Sequence, residues 1–246
     1  MTKVPTSRLD KLLANMGYAS RREIQFLAKA GRIRLDGAPM KGADERIALT
    51  PDLETRLVVD GEALDPLPGF ALMLNKPLGV TCSRKEAGAL VYDLLPSRWR
   101  RREPAISTVG RLDKETSGLL LLTDDGALLH RIIAPSRHVP KVYRAHLARP
   151  LSGDEGALFA SGTLMLDGED KPLAPAELEV AGEREARLTV HEGRYHQVRR
   201  MFAAAGNHVE ALHREAVGGL ALPPDLEPGA IRRLTAADLD AIFAAP

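Results

Sequence analysis

The spacing of apolar residues in the first part of the chain predicts two short helices followed by strands. Four apolar residues have the i, i+3, i+4 and i+7 spacing of one helix face: Leu9, Leu12, Leu13 and Met16. Ser20 and Glu23 have the spacing of a capping box, so a second helix is predicted to begin there and to end at Gly31. Polar and apolar residues alternate over 32–35 and 56–59, and each stretch is followed by an Asp-Gly pair typical of a hairpin turn.

The remainder of the chain mixes predicted strands and helices without regular alternation. Apolar runs and alternating patterns predict strands over 70–75, 119–122, 142–147, 186–190 and 208–212. Helical spacing and capping signals predict helices over 90–95, 127–133, 154–160, 198–206 and 235–243. The charged residues 98–102 are expected to form an exposed loop, and the acidic, proline-containing residues 60–69 a linker. This order predicts an α+β protein with a small domain and linker at 1–66 and a larger domain at 67–246.

Composition is typical of a soluble globular protein. Hydrophobic residues make up 44% and charged residues 27% of the chain, and no apolar run approaches the roughly 20 residues that a membrane helix needs. No signal-peptide pattern is present, so the protein is expected in the cytoplasm. The single cysteine, Cys82, excludes an intrachain disulfide and is interpreted as a structural thiol.

The net charge of +1 conceals an uneven distribution along the chain. Residues 1–50 carry a net +5 and residues 70–150 a net +7, whereas residues 51–69 carry −4 and residues 151–190 carry −6. Two basic blocks are typical of a protein that contacts a polyanion such as RNA in two places. Ordinary clustering of surface charge explains the same distribution equally well.

The stretch Gly110–Gly126 presents a carboxylate beside two cations. Asp113 stands between Arg111 and Lys114, shortly before a small-residue turn predicted at 116–118 that leads into an apolar strand. A turn fastened to a buried strand would hold the carboxylate in place, and a nearby cation would keep it ionised. This arrangement is expected of an anionic nucleophile. The alternative is that Asp113 caps a turn among solvated surface charges.

Two other segments carry candidate chemistry. In Gly193–Phe202, Arg199 and Arg200 lie on a predicted helix whose other face is apolar, so one arginine is expected at the core boundary. Such an arginine requires a carboxylate partner, and Asp113 is the natural candidate. Tyr143, at the head of a predicted strand, could stack on a nucleobase, although a core or surface tyrosine has the same pattern. Four histidines show no spacing typical of a metal site, so no metal is predicted: His191, His196, His208 and His213.

Three segments resemble, in sequence and in order, the signature segments of the RsuA-type pseudouridine synthases: Gly110–Gly126, Lys141–Arg144 and Gly193–Met201. Residues 8–37 resemble the S4 RNA-binding domain found at the N-terminus of that family. The resemblance extends through nearly the whole chain. It implies the pseudouridine synthase fold, with an S4-like domain before a catalytic domain built on a mixed, mostly antiparallel sheet flanked by helices.

The resemblance also assigns roles to individual residues. It implies that Asp113 is the catalytic aspartate, that Tyr143 packs on the target base, and that Arg199 is the cation paired with Asp113. Five further residues are expected to bind the substrate: Lys76, Arg111, Arg194, Gln197 and Arg200. Seven basic residues of the S4-like part are expected to contact the RNA backbone, unless they form only a solvated surface: Arg8, Lys11, Arg21, Arg22, Lys29, Arg32 and Arg34.

The reaction implied by the resemblance is isomerisation of a uridine to pseudouridine, which needs no cofactor. Asp113 would either attack ribose C1′ or remove the C2′ proton, and the sequence favours neither route. Residues 194–208 and 213–215 are most similar to members that act on small-subunit rRNA, whereas large-subunit relatives usually differ at 195–196. The expected partner is therefore small-subunit rRNA, free or in an assembling particle. A monomer is expected because no segment of the sequence resembles an oligomerisation seam.

Three alternatives remain at this point. A relative that acts on large-subunit rRNA would share every segment described above. A non-catalytic S4-type protein of ribosome assembly would explain the basic blocks but not the carboxylate between cations. A glycoside hydrolase would need a second carboxylate, and Glu115 is too close in sequence to Asp113 to be a convincing partner.

Overall fold

In the computed structural model, which describes residues 4–245, the chain forms two compact units. The first unit contains the chain up to Ala71 together with 95–107 and 123–125, and the second contains the rest. The sequence-based division at residues 66 and 67 treated each domain as one continuous stretch. Two later segments are grouped with the first compact unit, and the division of the chain into domains at 66 and 67 stays a prediction.

The first unit is built from short helices and strands. Its helices are α1 (Leu9–Asn15), α2 (Arg21–Lys29) and α3 (Leu53–Arg56). Its strands are β1 (Thr6–Arg8), β2 (Ile33–Leu35), β3 (Ala38–Pro39), β4 (Arg46–Ala48), β5 (Leu57–Val59) and β6 (Glu62–Ala63). β1 pairs with β4, and the other four strands form a sheet in the order β3-β2-β5-β6.

The local signals read from the sequence of this unit are confirmed. The Ser20 side chain accepts from the Glu23 amide while the Glu23 carboxylate accepts from the Ser20 amide, which completes the predicted capping box. Asp36 and Asp60 both adopt positive φ angles ahead of glycines, as primed hairpin turns require. The apolar faces of α1 and α2 meet in one core, whose members include Leu9, Leu13, Met16 and Ile24.

Two expectations for this unit are wrong. Residues 60–69 are not a free linker, because β6 pairs with β5 and Leu64 is buried in the core of the unit. Residues 98–102 are not simply an exposed loop either, since Arg102 is only 3% exposed. Its guanidinium lies 4.7 Å from the Phe70 ring centroid and 3.5 Å from the Asp124 carboxylate, so stacking and an acidic partner make its burial tolerable.

The second unit has a larger sheet with helices beside it. Its strands are β7 (Ala71–Lys76), β8 (Ser107–Val109), β9 (Thr116–Thr123), β10 (Lys141–Leu147), β11 (Glu177–Gly182), β12 (Glu185–Val190), β13 (Val209–Val217), β14 (Leu220–Ala221) and β15 (Ile231–Arg233). Its helices are α4 (Gly126–Ile133), α5 (Glu155–Ala160), α6 (Gln197–Ala204) and α7 (Ala236–Ala241). The described residues also form 3₁₀ turns at Val91–Leu94 and Pro135–Arg137, and the first unit has one at Trp99–Arg101.

Among the residues described, seven strands of this sheet follow the order β11-β12-β10-β13-β9-β7-β15. β13 and β9 run parallel, whereas β10 is antiparallel to both of its neighbours. This mixed, mostly antiparallel sheet confirms the predicted α+β class. No helix within residues 4–245 has the length and apolar character that a membrane crossing requires.

The parallel pair β9 and β13 corrects the turn predicted at 116–118. These residues already belong to β9 and lie opposite Leu212, His213 and Arg214. Gly118 has φ +103°, and a Cβ atom there would lie 2.3 Å from the Arg214 carbonyl oxygen. Glycine is therefore required at 118 by the close approach of two backbones and not by a turn.

Candidate active site

A cavity of about 520 Å³ lies in the second unit, over one side of the sheet. Its walls come from the stretch 109–116, from residues 190–198 at the start of α6, and from β10 and β13. The cavity brings together five of the residues predicted to act on the substrate: Arg111, Asp113, Tyr143, Arg194 and Gln197. Its volume lies within the range expected for a site that holds one small-molecule-sized group, such as a single nucleotide.

Asp113 lies in the loop that leads from β8 to β9. Its carbonyl oxygen accepts from the Thr116 amide at 3.0 Å, and this bond fastens the loop to the first residue of β9. Its side chain is 35% exposed and faces the cavity. The Nε2 atom of His196 lies 3.4 Å from one carboxylate oxygen, so a protonated His196 would form an ion pair with it. The loop that carries Asp113 is therefore fastened to the start of β9 by a backbone hydrogen bond, and not by the turn that was expected at 116–118.

The predicted ion pair between Asp113 and Arg199 is not formed. The Arg199 guanidinium donates to the carbonyl oxygens of Val209 at 2.8 Å and Glu115 at 2.7 Å. It lines a separate cavity of about 280 Å³, to which Asp113 does not contribute. Two backbone acceptors satisfy this arginine, so it does not require the carboxylate that its position on an amphipathic helix suggested.

Arg214 is a cation of the cavity that the sequence analysis missed. It is only 4% exposed, its Nε donates to the Leu119 carbonyl oxygen at 2.6 Å, and its Nη1 lies 3.4 Å from the Tyr143 hydroxyl oxygen. Within residues 4–245 it has no carboxylate partner. The sequence carried a signal for it, because Leu212 and Arg214 occupy alternate positions and so face the same side of β13.

Lys141 is the second cation that the sequence analysis missed. It precedes Tyr143 by two residues on β10, and both side chains reach the cavity. Burial, with a smaller contribution from Arg214, lowers the pKa of Lys141 to about 8. Among the described residues no acid pairs with its amine. A half-buried amine without a counter-ion favours an anionic ligand, because an anion would stabilise its charged form.

Four predicted substrate ligands are already engaged by the protein. Lys76 is fully buried, and its ammonium donates to the carbonyl oxygen of Thr116 at 2.8 Å; it does not line the cavity. Arg200 does not line it either, and donates to Glu169 at 2.9 Å. The expectation of direct substrate contact is therefore wrong for both.

Arg194 and Gln197 do reach the cavity, while Arg194 also donates to the carbonyl oxygens of 171 and 172.

The seven cations predicted to contact RNA divide into two groups in the first unit. Arg8 and Arg21 both pair with Asp10, and these hydrogen bonds, from Arg8 above all, lower the pKa of that carboxyl to about 2. Arg32 pairs with Asp60 at 2.5 Å. The others are exposed and form no ion pair within the described part of the chain: Lys11, Arg22, Lys29 and Arg34. The second group is therefore available to contact an external polyanion without first breaking an ion pair.

Cys82 is the structural thiol that the sequence predicted. It is 8% exposed, and its sulfur accepts from the Leu112 amide at 3.4 Å. Burial raises its pKa, which suppresses the reactive thiolate.

Comparisons with known proteins identify both parts of the chain. The RNA pseudouridylate synthase model matches residues 71–204, and the S4 domain model matches residues 7–46. An uncharacterized RNA pseudouridine synthase of Bacillus subtilis is 41% identical over 235 residues, 94% of this chain and 96% of that protein. Ribosomal small subunit pseudouridine synthase A of Escherichia coli K12 is 39% identical over 239 residues, 96% of this chain and 99% of that protein. The crystal structure of a pseudouridylate synthase, 35% identical, superposes with a TM-score of 0.67 over 96% of this chain and 99% of that one.

These matches confirm the resemblance seen in the three signature segments and in the S4-like region. The synthase match includes Asp113, Tyr143 and α6, so the cavity lies largely within the matched region. The alternative of a non-catalytic RNA-binding protein is not supported, because the chain matches the synthase family over 71–204. The chain belongs to the RNA pseudouridylate synthase family, carries an S4 domain, and is a pseudouridine synthase.

Proposed function

We propose that this enzyme isomerises a specific uridine of small-subunit ribosomal RNA. The observation that carries the proposal is the similarity, over nearly the full length of both chains, to proteins named ribosomal small subunit pseudouridine synthase A in Escherichia coli and Pseudomonas aeruginosa. Because the similarity covers the S4 domain as well as the synthase domain, it includes both regions that would contact the RNA. The proposed setting is ribosome biogenesis in the cytoplasm, with a monomer as the working form.

The reaction replaces the N1–C1′ bond of the uridine by a C5–C1′ bond. The C5 proton leaves to solvent and N1 gains a proton, so the product is an isomer of the substrate and no cofactor is required. The target nucleotide must leave the base stack to reach the enzyme, and the freed uracil must stay in place while it turns. The cavity around Asp113 is a suitable enclosure, since its volume is about 520 Å³.

The positions of the side chains support separate roles for the residues of this cavity. Asp113 is proposed to act on the ribose, by attack at C1′ or by removal of the C2′ proton. Tyr143 is proposed to pack against the uracil, with its hydroxyl held near Arg214. Lys141 and Arg214 are cations without acidic partners among residues 4–245, and we assign them to the phosphates of the everted nucleotide.

Arg199 keeps a proposed role at the site, although it does not contact Asp113. Its hydrogen bond to the Glu115 carbonyl oxygen fixes the chain two residues beyond Asp113. Its bond to Val209 anchors the same chain segment to the start of β13. Arg199 would therefore act as a positioning residue for the loop that carries the catalytic aspartate.

The S4 domain is proposed to bind the RNA backbone through its unpaired cations. We expect the double variant Lys11→Gln/Lys29→Gln to weaken RNA binding and to reduce the salt dependence of binding, by about 0.7–0.9 in the log–log slope per lost phosphate contact. Binding to small-subunit rRNA, measured over a range of salt concentrations, gives this slope. A matched control, Lys171→Gln/Arg184→Gln, removes two exposed charges from the second unit. An unchanged slope in the first variant would contradict the assignment.

The proposed substrate is tested by incubating the purified enzyme with rRNA labelled with tritium at uridine C5. We expect tritium release from small-subunit rRNA, confined to a single site, because C5 loses its hydrogen when the new bond forms. Tritium release from large-subunit rRNA alone would contradict the proposed substrate and would identify the enzyme as one that acts on large-subunit rRNA. Free small-subunit rRNA and partly assembled particles, compared side by side, identify the form that the enzyme accepts.

A further inference from the structure

An exposed aromatic stack stands at the mouth of the active-site cavity. The Tyr195 side chain is 70% exposed, more than any other large hydrophobic residue described. Its ring stacks on that of His196, with centroids 3.9 Å apart and planes 16° apart. Both residues line the cavity. A ring with this exposure contributes little to the stability of the fold, because most of its surface remains in water.

The backbone holds this stack in a fixed position. His196 has φ +47° and ψ +33°, a left-handed conformation that is uncommon for a residue with a side chain, and it immediately precedes α6. The Tyr195 carbonyl oxygen accepts from Arg200 at 3.2 Å. On the other side, Arg194 donates to the carbonyl oxygens of residues 171 and 172 at 2.7 and 2.6 Å. Hydrogen bonds therefore hold the backbone of Tyr195 itself and the side chain of the residue that precedes it.

The stack is also directly connected to the catalytic carboxylate. His196 offers one face to Tyr195, while its Nε2 atom lies 3.4 Å from Asp113. A group resting on the free face of Tyr195 would therefore lie close to the ribose on which Asp113 acts. When one nucleotide leaves a stack, its neighbour loses a stacking partner, and an aromatic side chain can replace that partner.

We propose that the Tyr195–His196 pair is a platform on which the nucleobase next to the target uridine stacks. This inference rests on the proposed action on RNA and adds to it a contact with the flanking nucleotide. Any base can stack on an aromatic ring, so the platform would bind RNA with a flanking base more tightly than RNA in which that base is absent. Among the bases it would prefer the larger purines. Tyr195 is then a binding residue for the flanking nucleotide, and His196 positions both the platform and Asp113.

The test uses the full-length enzyme and a small-subunit rRNA fragment that the wild-type protein modifies. We expect Tyr195→Leu to raise the KM for RNA by about 5- to 100-fold, the range for loss of one base–aromatic stack, with a smaller change in kcat. Tyr195→Phe keeps the ring and should remain near wild type. Val180→Ala, which changes a 64% exposed residue outside the cavity, controls for the loss of exposed apolar surface.

An RNA that lacks the neighbouring base provides the decisive comparison. Abasic substitution on one side of the uridine should weaken wild-type binding by the same factor as Tyr195→Leu, and should weaken the Tyr195→Leu variant no further. Additive effects on both sides, or a KM unchanged by Tyr195→Leu, would overturn the platform. If the wild-type enzyme released no tritium from any rRNA, the proposed function itself would fail, so the two failures are distinguishable.

Discussion

We expect Asp113→Asn to lower the rate of pseudouridine formation by at least about a thousand-fold, the loss typical when a nucleophile or general base is removed. The amide has nearly the same shape as the carboxylate but can neither attack C1′ nor accept a proton from C2′. The fold should tolerate the change, because the side chain is 35% exposed and its nearest ionic partner is His196 at 3.4 Å. We therefore expect the midpoint of thermal unfolding to stay close to that of the wild type.

Single-turnover tritium release, with enzyme in excess over rRNA, measures this effect on the chemical step. Glu115→Gln is the matched control, since it neutralises a carboxylate two residues away whose side chain does not line the cavity. It should retain activity within a few fold of the wild type. Substantial turnover by Asp113→Asn would show that another group acts on the ribose.

The sequence predicted every described helix except α3, because the signals of those helices are local. It predicted seven strands, β2, β5, β7, β9, β10, β12 and β13, and not the other eight described ones, most of which are only two or three residues long. A capping box such as Ser20 with Glu23 requires only residues within one helical turn, and an Asp-Gly hairpin only two. Apolar periodicity likewise located α6 and its buried face of Val198, Met201 and Phe202. The errors at 60–69 and 98–102 have different causes. β6 pairs with the neighbouring strand β5, so that signal was local and was overlooked, whereas the burial of Arg102 depends on Phe70 and Asp124, which are distant in sequence.

The sequence placed Asp113, Arg111 and Arg194 at the candidate site, but it missed two further cations of the cavity, Lys141 and Arg214. Asp113 lies in a long signature segment, so the sequence alone indicated both its candidate role and the charged residues beside it. Which arginine reaches the cavity depends on strand register and on competing backbone acceptors: Arg199 is satisfied by two carbonyl groups, whereas Arg214 projects from β13 toward Tyr143. An amphipathic helix shows that an arginine needs partners, but it does not say which acceptors tertiary structure supplies.

Lys141 illustrates the part of the site that sequence could have yielded. The strand over 142–147 was predicted, and extending it by one residue places Lys141 on the same face as Tyr143. Its burial, in contrast, follows from the walls contributed by β13 and by residues 190–198. Alternation along a strand therefore predicts which side chains share a face of the sheet. How deeply each side chain is buried in the cavity depends on the folded structure.

We expect Gly118→Ala to destabilise the protein by about 3 kcal/mol or more, which makes it the stability change with the largest predicted effect. A non-glycine residue at φ +103° is strained, and its Cβ atom would lie 2.3 Å from the carbonyl oxygen and 2.7 Å from the nitrogen of Arg214. Both atoms belong to the backbone of the paired strand β13, so a side-chain rotation cannot relieve the contact. The strands must separate at the point that carries Arg214 into the cavity.

Urea unfolding followed by circular dichroism, together with tritium release, measures both consequences of this substitution. The unfolding midpoint should fall, and activity should fall even at temperatures where the variant is folded, because displacement of β9 moves the mount of Asp113. Gly156→Ala is the matched control: it lies in α5, a Cβ atom there meets nothing within 4 Å, and alanine should stabilise the helix by about 0.5–1 kcal/mol. If Gly118→Ala unfolded at the wild-type midpoint, β9 and β13 would not be as closely paired as the structure indicates, and the placement of Arg214 in the cavity would lose its basis.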